Sequence, residues 1–581
     1  RRELFAHETD PRSPGRGQYA FVQALIREVA YNTLAKRDRK TRHLAAARFF
    51  EGLGSDELAG ALANHYLAAQ QSAQAGPEAD TLAAQARVAL KAAAERAFTL
   101  GSYSQAAIFF KQAIDVTDAE AERVEFIERA AWAAHLASED DAALVGARQA
   151  VESRRALGDP DATAAAIAQL ASILVEVLQP DAALELVEPA VRELIPDDAA
   201  VGPGGVRLLA QFSRILFFMQ RHPEAVAVAD RALEAAERLE LPAVVSDVLI
   251  TRGSALANLG RGYEGIGAVK AGVELADELG MIATSLRGRI NMGVLSPDPR
   301  LQFQLTESAL ETARRYGLRG LSRTLIGNLS SAALEIGEWD VALRELDAGI
   351  AESTEGLETN FLSWARTSIL AWQGVDNAVE VERLVEWANS LGNEHARGAI
   401  AGLRAELAFA AGDHVAASDG WILSAQADDL NAPLMDLYAG IAALLGRDRD
   451  RSEAALVALR TTPTRFGRRM LDERVLVAGL AILDGQFSAG LREARSVMAE
   501  FGRLGMPWRQ ALIGLVLATL MGGDDPEVRA AAQTARETFE RLGAKPFIAQ
   551  LDSASTNRRS EPVNRVGVRP EAAGAAVSQV D

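Results

Sequence analysis

The sequence predicts an all-α protein built from repeated helical hairpins. A short sequence motif recurs, in which a glycine is followed by an aromatic residue and then by a small residue inside the next helix. It occurs at Gly101, Tyr103 and Ala106, and it begins again at Gly337 and Gly485. The turns recur roughly every 34 to 42 residues, which corresponds to one helical hairpin per repeat. Hydrophobic residues make up 49% of the chain but aromatic residues only 6%, so alanine and leucine must provide most of the packing.

Each residue type in this motif has a physical reason. A glycine at the end of a helix can adopt the left-handed conformation that other residues resist. Small residues such as Ala106, Ala342 and Ala417 let the paired helices approach closely. This pattern is similar to the tetratricopeptide repeat, and about twelve copies fit between residues 83 and 550. It implies an α-solenoid that winds as a right-handed superhelix, essentially without strands, and that binds and positions partners.

The two ends of the chain differ from the repeats. Residues 1–17 are charged and rich in proline and glycine, and we expect a loop that continues from a longer polypeptide. Residues 18–75 carry three helical segments, the first of which places Phe21, Leu25 and Val29 on one face. Residues 552–581 are rich in Ser, Asn, Arg, Pro and Gly without apolar periodicity, so we expect a disordered tail.

The helical segments near the start resemble a known junction. The residues that carry the resemblance run from Tyr19 to Tyr31 and continue with His43, His65 and Tyr66. They look like the small, winged-helix-like element that joins the ATPase module to the repeats in bacterial signal-transduction ATPases with numerous domains. The nearest likeness is to proteins with an N-terminal adenylate/guanylate cyclase domain, a central AAA-type ATPase and C-terminal tetratricopeptide repeats.

The resemblance implies a set of junction residues and a location for the cofactors. The candidate junction residues are Phe21, Leu25, Arg27, Glu28, Tyr31, His43, His65 and Tyr66. This chain has Gln23 where the family commonly has a histidine, so no role of that imidazole carries over. ATP and Mg²⁺ are expected only in the upstream domains. For His43 and His65 a structural hydrogen bond is a simpler interpretation than catalysis, because neither has catalytic partners in the sequence.

Charge and composition narrow the partners and the compartment. The net charge of −18 argues against broad binding to nucleic acids or anionic membranes. The longest apolar run, at residues 511–521, is too short to cross a bilayer, and no secretory signal opens the sequence. Because the chain contains no cysteine, it has neither disulfides nor thiolate chemistry. We therefore expect a cytoplasmic protein, and the sequence leaves open whether it forms an oligomer.

The sequence predicts no catalytic, cofactor-binding or metal-binding residues. Gly260, Gly262 and Gly265 match the dinucleotide fingerprint G-x-G-x-x-G by letter. The preceding residues, 248–259, have helical spacing instead of the strand that this fingerprint requires. No phosphate-binding loop G-x-x-x-x-G-K-[ST] occurs, and no two histidines have the spacing of a zinc site. We expect that this chain is not itself an enzyme.

The concave face of the solenoid is the candidate binding surface. The first helix of each repeat lines this face, and counting back from each turn selects residues that packing does not need. These candidates for partner binding are Lys91, Glu95, Phe98, Arg207, Arg214, Phe217 and Ser331. A solvated or self-packed surface is an equally good interpretation for any one of them. We expect a protein or peptide ligand here, and the upstream ATPase domain of the same polypeptide as a second partner.

Two functions compete at this point. The favoured one is a protein-interaction and sensing module of a multidomain signalling ATPase, which regulates a nucleotide cyclase upstream through the junction. The alternative is the sensor region of a large ATP-dependent transcriptional activator, whose repeats end similarly near Phe539 to Ala544. That class normally continues into a basic helix-turn-helix. Here the residues after Ala544 contain only four arginines and no helical periodicity, so they do not match the expected DNA-binding helix-turn-helix.

Overall fold

The chain is almost entirely helical. The structure, a computed structural model, describes residues 5–7, 19–54, 56–177, 179–195, 201–296, 298–352, 357–392, 394–427, 431–461 and 469–556. These residues form 28 α-helices, one 3₁₀ helix (Asp56–Leu58) and two short strands. The predicted all-α solenoid fold is confirmed, and no strand occurs among the described residues between 83 and 550.

A β-hairpin precedes the helices. Strand β1 (Phe5–His7) pairs antiparallel with β2 (Tyr19–Phe21), and Phe5 lies opposite Phe21. The prediction of a loop over residues 1–17 is therefore wrong at Phe5–His7. The prediction that Phe21 belongs to the first helix is wrong as well, since that helix begins at Ala24. The cause is the pairing itself, because each strand gains its hydrogen bonds from a segment that local periodicity does not reveal.

Three helices follow the hairpin: α1 (Ala24–Asn32), α2 (Lys36–Leu53) and α3 (Ala59–Gln71). Helices α2 and α3 pack on each other through small side chains such as Ala47 and Ala63, both fully buried. Helix α1 contains no buried residue, and Leu25 is 70% exposed on its apolar face. The apolar stripe that predicted this helix is thus left uncovered by the described part of the chain.

The remaining helices form antiparallel pairs, and the chain divides into two compact units. Unit 1 comprises residues 1–295 and 305–325, and unit 2 comprises residues 296–304 and 326–581. The first helices of the pairs in unit 1 are α4 (Pro77–Thr99), α6 (Glu120–Leu136), α8 (Pro160–Glu176), α10 (Pro203–Phe218), α12 (Pro242–Asn258) and α14 (Ile282–Leu295). The second helices are α5 (Tyr103–Asp115), α7 (Asp140–Leu157), α9 (Pro180–Leu194), α11 (His222–Arg238) and α13 (Gly262–Glu278).

The next two helices are α15 (Pro299–Arg315) and α16 (Arg319–Ile336), each with residues in both units. Unit 2 continues with α17 (Trp339–Glu352), α18 (Leu357–Gln373), α19 (Ala378–Leu391), α20 (Glu394–Ala411), α21 (His414–Ala427) and α22 (Ala432–Leu445). It ends with α23 (Arg449–Thr461), α24 (Arg469–Leu483), α25 (Phe487–Arg503), α26 (Pro507–Met521), α27 (Pro526–Leu542) and α28 (Lys545–Thr556). The tail predicted from residue 552 is wrong up to Thr556, because α28 continues to that residue. Residues 557–581 lie outside the described part of the chain.

The glycine turns form as the sequence predicts. Gly101, Gly337 and Gly485 adopt left-handed φ values of +73°, +79° and +78° between the helices of a pair. Two less regular turns place Ser138 (φ +62°) and Gln220 (φ +58°) in the same conformation. A side chain in this conformation carries a local steric cost, which the packing of the adjoining helices must offset.

Alanine and glycine set the spacing within the pairs. Ala106 is fully buried, in agreement with its predicted place between two helices. Helices α12 and α13 approach each other closely, since a Cβ atom added at Gly265 would lie 2.5 Å from the carbonyl oxygen of Gly253. The glycines that resemble a nucleotide fingerprint therefore lie in a turn and in a tight helix contact.

Aromatic side chains form the centre of unit 2. This aromatic core consists of Trp339, Trp372, Phe409, Trp421, Tyr438, Trp508, Phe539 and Phe547. Trp372 stacks on Trp508 with ring centroids 4.9 Å apart, and Phe547 meets Trp508 edge-on at 5.0 Å. Helices α26 and α28 thereby pack against α18, α20 and α22, which are first helices of earlier pairs. Unit 2 thus covers part of its own first-helix surface. No helix in the described residues is long and apolar enough to cross a membrane.

Candidate functional site

Charged side chains link successive first helices of unit 1. Lys91 on α4 pairs with Glu125 on α6 at 3.4 Å, and Glu95 on α4 pairs with Arg129 on α6 at 3.2 Å. All four side chains are between about one third and one half exposed. Two of the predicted candidates, Lys91 and Glu95, therefore lie on a surface that neighbouring first helices share.

Phe98 extends this surface toward the turn. Its ring packs edge-on against Tyr103, with centroids 5.3 Å apart. The guanidinium of Arg129 lies 5.8 Å from the Phe98 centroid and 5.1 Å from that of Phe110. Such cation–π contacts help to hold Arg129 in place between the two helices.

A four-residue ion cluster lies further along the same surface. His135 on α6 contacts Glu176 on α8 at 2.8 Å through Nε2, and it contacts Asp140 at 3.1 Å through Nδ1. Arg214 on α10 contacts Glu176 at 3.5 Å. One carboxylate thus connects cations from the preceding and the following first helix.

The cluster carries charge at neutral pH. Burial by itself would lower the pKa of His135, but the hydrogen bonds to Asp140 and Glu176 outweigh it and raise that pKa to about 9. Burial would likewise raise the pKa of Glu176, yet the hydrogen bond from His135 and the charge of Arg214 lower it to about 2. His135 is therefore an imidazolium and Glu176 a carboxylate, each stabilised by the other.

A third cation belongs to the same neighbourhood. Arg287 on α14 donates to the carboxylate of Asp247 at 2.6 Å and to its carbonyl at 2.9 Å, both through Nη2. Its Nη1 donates to Thr251 at 3.4 Å. Burial lowers the pKa of Arg287, and the nearby charge of Arg214 lowers it further, although Asp247 opposes both effects. Two guanidinium groups from α10 and α14 are therefore crowded together.

Helix α10 presents a stripe to this neighbourhood. Arg207, Gln211, Arg214 and Phe218 follow one another at intervals of four, three and four residues, which places them on one face of the helix. Arg207 is exposed and makes no ion pair among the described residues. Two buried atoms, Oε1 of Gln211 and Nε of Arg214, have no hydrogen-bond partner within the described part of the chain. The stripe therefore has unused donors and acceptors.

These side chains make up what we call the binding face of unit 1. Its members are Lys91, Glu95, Arg129, His135, Glu176, Arg207, Gln211, Arg214, Asp247 and Arg287. They come from six successive first helices, α4 to α14.

Two predicted candidates lie elsewhere. Phe217 is half-buried and packs against Phe218 and the ring of His222 on α11, so it faces the helix pair instead of the stripe. The exposed aromatic residue beside Arg214 is Phe218, at 43% exposure and 5.9 Å from the guanidinium. Ser331 belongs to unit 2, where its hydroxyl donates to the carbonyl of Gly327 at 3.2 Å.

The sequence did not reveal several members of the binding face. His135, Glu176 and Arg287 lie one, zero and eight residues from the last residue of their helices. A count from each turn therefore misses them, because the position that reaches the shared face changes from helix to helix. The packing angle between successive helices determines which position on each helix contributes a side chain to the binding face.

The structure brings three of the predicted junction residues together. The hydroxyl of Tyr31 on α1 lies 2.9 Å from Nε2 of His43 on α2, and Nδ1 of His43 lies 2.9 Å from Nδ1 of His65 on α3. Burial lowers the pKa of both histidines, and the charge of His65 contributes to the shift at His43. A chain of hydrogen bonds therefore connects α1, α2 and α3.

The other junction candidates are more dispersed. Tyr66 is buried on α3, and burial together with a hydrogen bond to Glu51 raises the pKa of its hydroxyl to about 12. Leu25, Arg27 and Glu28 lie on α1 at partly to fully exposed positions. Within the described residues, no group of three or more His, Asp or Glu side chains is arranged to hold a metal ion.

Comparison with known proteins finds only distant structural similarity. No family model matches the chain, and no curated protein matches it. A Rap protein complexed with competence and sporulation factor shares 15% identity at a TM-score of 0.42, over 62% of this chain and 99% of that one. The apo quorum sensor NprR from B. thuringiensis shares 12% identity at a TM-score of 0.32, over 67% of this chain and 97% of that one.

A third similar structure is a monomeric IFIT1 mutant with Gppp-AAAA, at 10% identity and a TM-score of 0.34, over 67% of this chain and 90% of that one. All three are tetratricopeptide-like helical repeat structures. At these identities the likeness concerns the fold alone. The helix pairs and the glycine turns define the chain as a tetratricopeptide-like α-solenoid.

Proposed function

We propose that this chain is a sensing and interaction module, and that a protein or peptide partner binds the binding face of unit 1. The observation that carries the proposal is the row of charged and polar side chains that six successive first helices contribute to one surface. Buried polar atoms on this row have no partner in the described chain, whereas packing alone would favour apolar residues or satisfied polar groups.

The junction is the basis for proposing which kind of larger protein contains this module. Its residues resemble those that connect an ATPase to repeats in signalling ATPases with a cyclase domain, and we propose the same setting here. The hydrogen-bond chain from Tyr31 through His43 to His65 supports this role, since it ties α1 to the helices that precede α4. In this proposal, occupancy of the binding face alters the position of α1 and thereby the activity of an upstream domain. The absence of enzymatic activity in this chain stays a prediction.

Site-specific photo-crosslinking tests the binding face. A photoreactive amino acid replaces Arg207 on the face, or Tyr263 on the second helix α13, which is 88% exposed and serves as the matched control. With the full chain expressed in its source cells, we expect a discrete protein or peptide adduct from position 207 and none from position 263.

The outcomes separate the two candidate functions. A partner that crosslinks only from position 263 would contradict the proposed surface. Adducts with DNA from position 207 would instead favour the sensor of a transcriptional activator. Identification of the crosslinked partner by mass spectrometry gives the result in either case.

A further inference from the structure

Positive charge is in excess at the centre of the binding face. The charged groups that interact between α6 and α14 are the cations His135, Arg214 and Arg287 and the carboxylates Asp140, Glu176 and Asp247, and a further cation, Arg207, lies exposed two turns before Arg214 on the same face of α10. The cations outnumber the carboxylates by one, although the chain as a whole has a net charge of −18. A local cationic centre on an acidic protein is a feature that attracts an anionic partner.

The cations at this centre are incompletely paired. The single ion pair of Arg214 is long, at 3.5 Å, and its Nε is buried without a hydrogen-bond partner in the described chain. Glu176, the acceptor in that pair, also receives the shorter contact from His135, at 2.8 Å. Arg207, two turns before Arg214 on the same face, makes no ion pair among the described residues. The arrangement leaves guanidinium donors for one more acceptor.

We propose that this centre binds a carboxylate side chain or terminus of an acidic peptide segment, with Arg207 and Arg214 as the donors. The inference rests on the proposed function and names the chemistry of its partner. A carboxylate suits the site because its two oxygens match the planar fork of a guanidinium. Its single charge also equals the excess of cations.

A nucleic acid suits the face less well. A phosphate backbone requires a continued row of unpaired cations. Toward α4 the cations of the binding face are already neutralised, since Lys91 pairs with Glu125 and Arg129 pairs with Glu95. The cationic centre is therefore local, as recognition of one carboxylate requires.

The neighbouring aromatic residue adds to the specificity. Phe218 is 43% exposed, and the guanidinium of Arg214 lies 5.9 Å from its ring. Because the exposed ring can bury apolar surface of a ligand, we expect an apolar residue close to the acidic residue in the bound segment.

Selection from a random mixture of short peptides tests the inference. The full chain is immobilised, and the retained peptides are sequenced by mass spectrometry. We expect enrichment of Asp or Glu next to an apolar residue. Arg207→Glu should abolish the acidic preference, whereas Arg148→Glu on the second helix α7 should retain it, because Arg148 is also exposed and lies off the binding face. Circular dichroism of both variants verifies that they remain folded.

A double-mutant cycle then tests whether Arg207 contacts the acidic residue of the peptide. One enriched peptide and its version with Asp or Glu replaced by the amide are titrated against the wild-type chain and Arg207→Gln. Each single change should weaken binding roughly two- to fivefold, as expected for a partly exposed ion pair. The two changes together should weaken it no further, because both remove the same interaction.

Several outcomes would overturn the inference. Retained peptides without acidic preference would do so, as would a preference that survives Arg207→Glu. In both cases peptide binding itself would still support the proposed function. Binding of single-stranded RNA that Arg207→Glu abolishes would assign the centre to phosphate instead. If no peptide is retained, the carboxylate inference fails, and crosslinking from position 207 decides separately whether a folded protein partner exists.

Discussion

At the residue scale, the charge state of His135 couples three helices of unit 1. Its pKa is raised from 6.5 to about 9, so its ionic contribution is fully present below pH 6.5 and is lost as the pH rises through about 9. Because the side chain is only 9% exposed, a shift of this size corresponds to a contribution of up to about 3 kcal/mol.

We therefore expect His135→Gln to destabilise the chain at pH 6 and to approach the wild type above pH 9. Urea titrations followed by circular dichroism at pH 6, 8 and 10 measure the difference. His222→Gln is the matched control, since burial lowers the pKa of His222 and its effect should stay constant between pH 8 and 10, where that of His135→Gln changes. A constant difference for His135→Gln between pH 6 and 10 would speak against the ion cluster.

Glu406 in unit 2 differs from His135, because its surroundings disfavour its charged form. Burial raises the pKa of its carboxyl from 4.5 to about 7, against a hydrogen bond with Ser368, and its Oε2 has no partner in the described chain. The stability associated with the neutral form is fully present below pH 4.5 and is lost as the pH rises through about 7.

Replacing Glu406 by Gln should remove this loss. We expect Glu406→Gln to exceed the wild type in free energy of unfolding by up to about 3 kcal/mol at pH 8 and to equal it near pH 4.5. Glu382→Gln, at an exposed position on α19, is the control and should change little. Equal stability of Glu406→Gln and the wild type at pH 8 would show that the carboxylate finds a partner in solution.

At the scale of helices, the closeness of α12 and α13 depends on glycine. A Cβ atom at Gly265 would meet the backbone of Gly253, whereas a Cβ atom at Gly267, on the same helix, has no neighbour within 4 Å. We expect Gly265→Ala to destabilise unit 1 by about 1–3 kcal/mol through overpacking.

Gly267→Ala is the matched control. It should be neutral or stabilising by about 0.5–1 kcal/mol, because alanine has the higher helix propensity. Thermal unfolding of the two variants gives the comparison. A nucleotide-binding role of these glycines would predict binding of NAD to the wild type, and its detection by calorimetry would contradict the packing interpretation.

At the scale of the whole molecule, unit 2 has a core that its last helices complete. Phe547 on α28 is fully buried against Trp508, Phe409 and Phe539, at centroid distances of 5.0, 5.3 and 5.6 Å. We expect Phe547→Ala to cost about 3–5 kcal/mol, since it leaves a cavity among rings that cannot move together. The loss should appear within unit 2, where all of these contacts lie.

Hydrogen exchange with mass spectrometry locates this effect. Protection should fall in α18, α20 and α26 of unit 2. Phe487→Ala is the control, because Phe487 is 49% exposed at the start of α25 and contributes little to the core. Unchanged exchange in these helices would mean that α28 is not part of a cooperative core.

The sequence by itself determined the fold class, because the repeated turn is a local feature. Gly101 and Gly337 each end a helix in the left-handed conformation that glycine adopts readily, and Ala106 is a small residue buried between two helices. The same local signals placed Lys91, Glu95 and Arg214 on first helices. For the junction, the resemblance of the residues around Tyr31 and His65 to those of a known junction predicted a connecting role, which stays a prediction.

Tertiary structure alone decided which side chains meet. The strand at Phe5–His7 depends on its partner β2, and the cluster of His135, Glu176 and Arg214 depends on the angles between α6, α8 and α10. Those residues lie about 40 positions apart, and no local pattern relates them. The closing of unit 2 by α26 and α28 has the same origin. Contacts between distant segments arise from packing of the whole repeat array, whereas a turn requires only its own few residues.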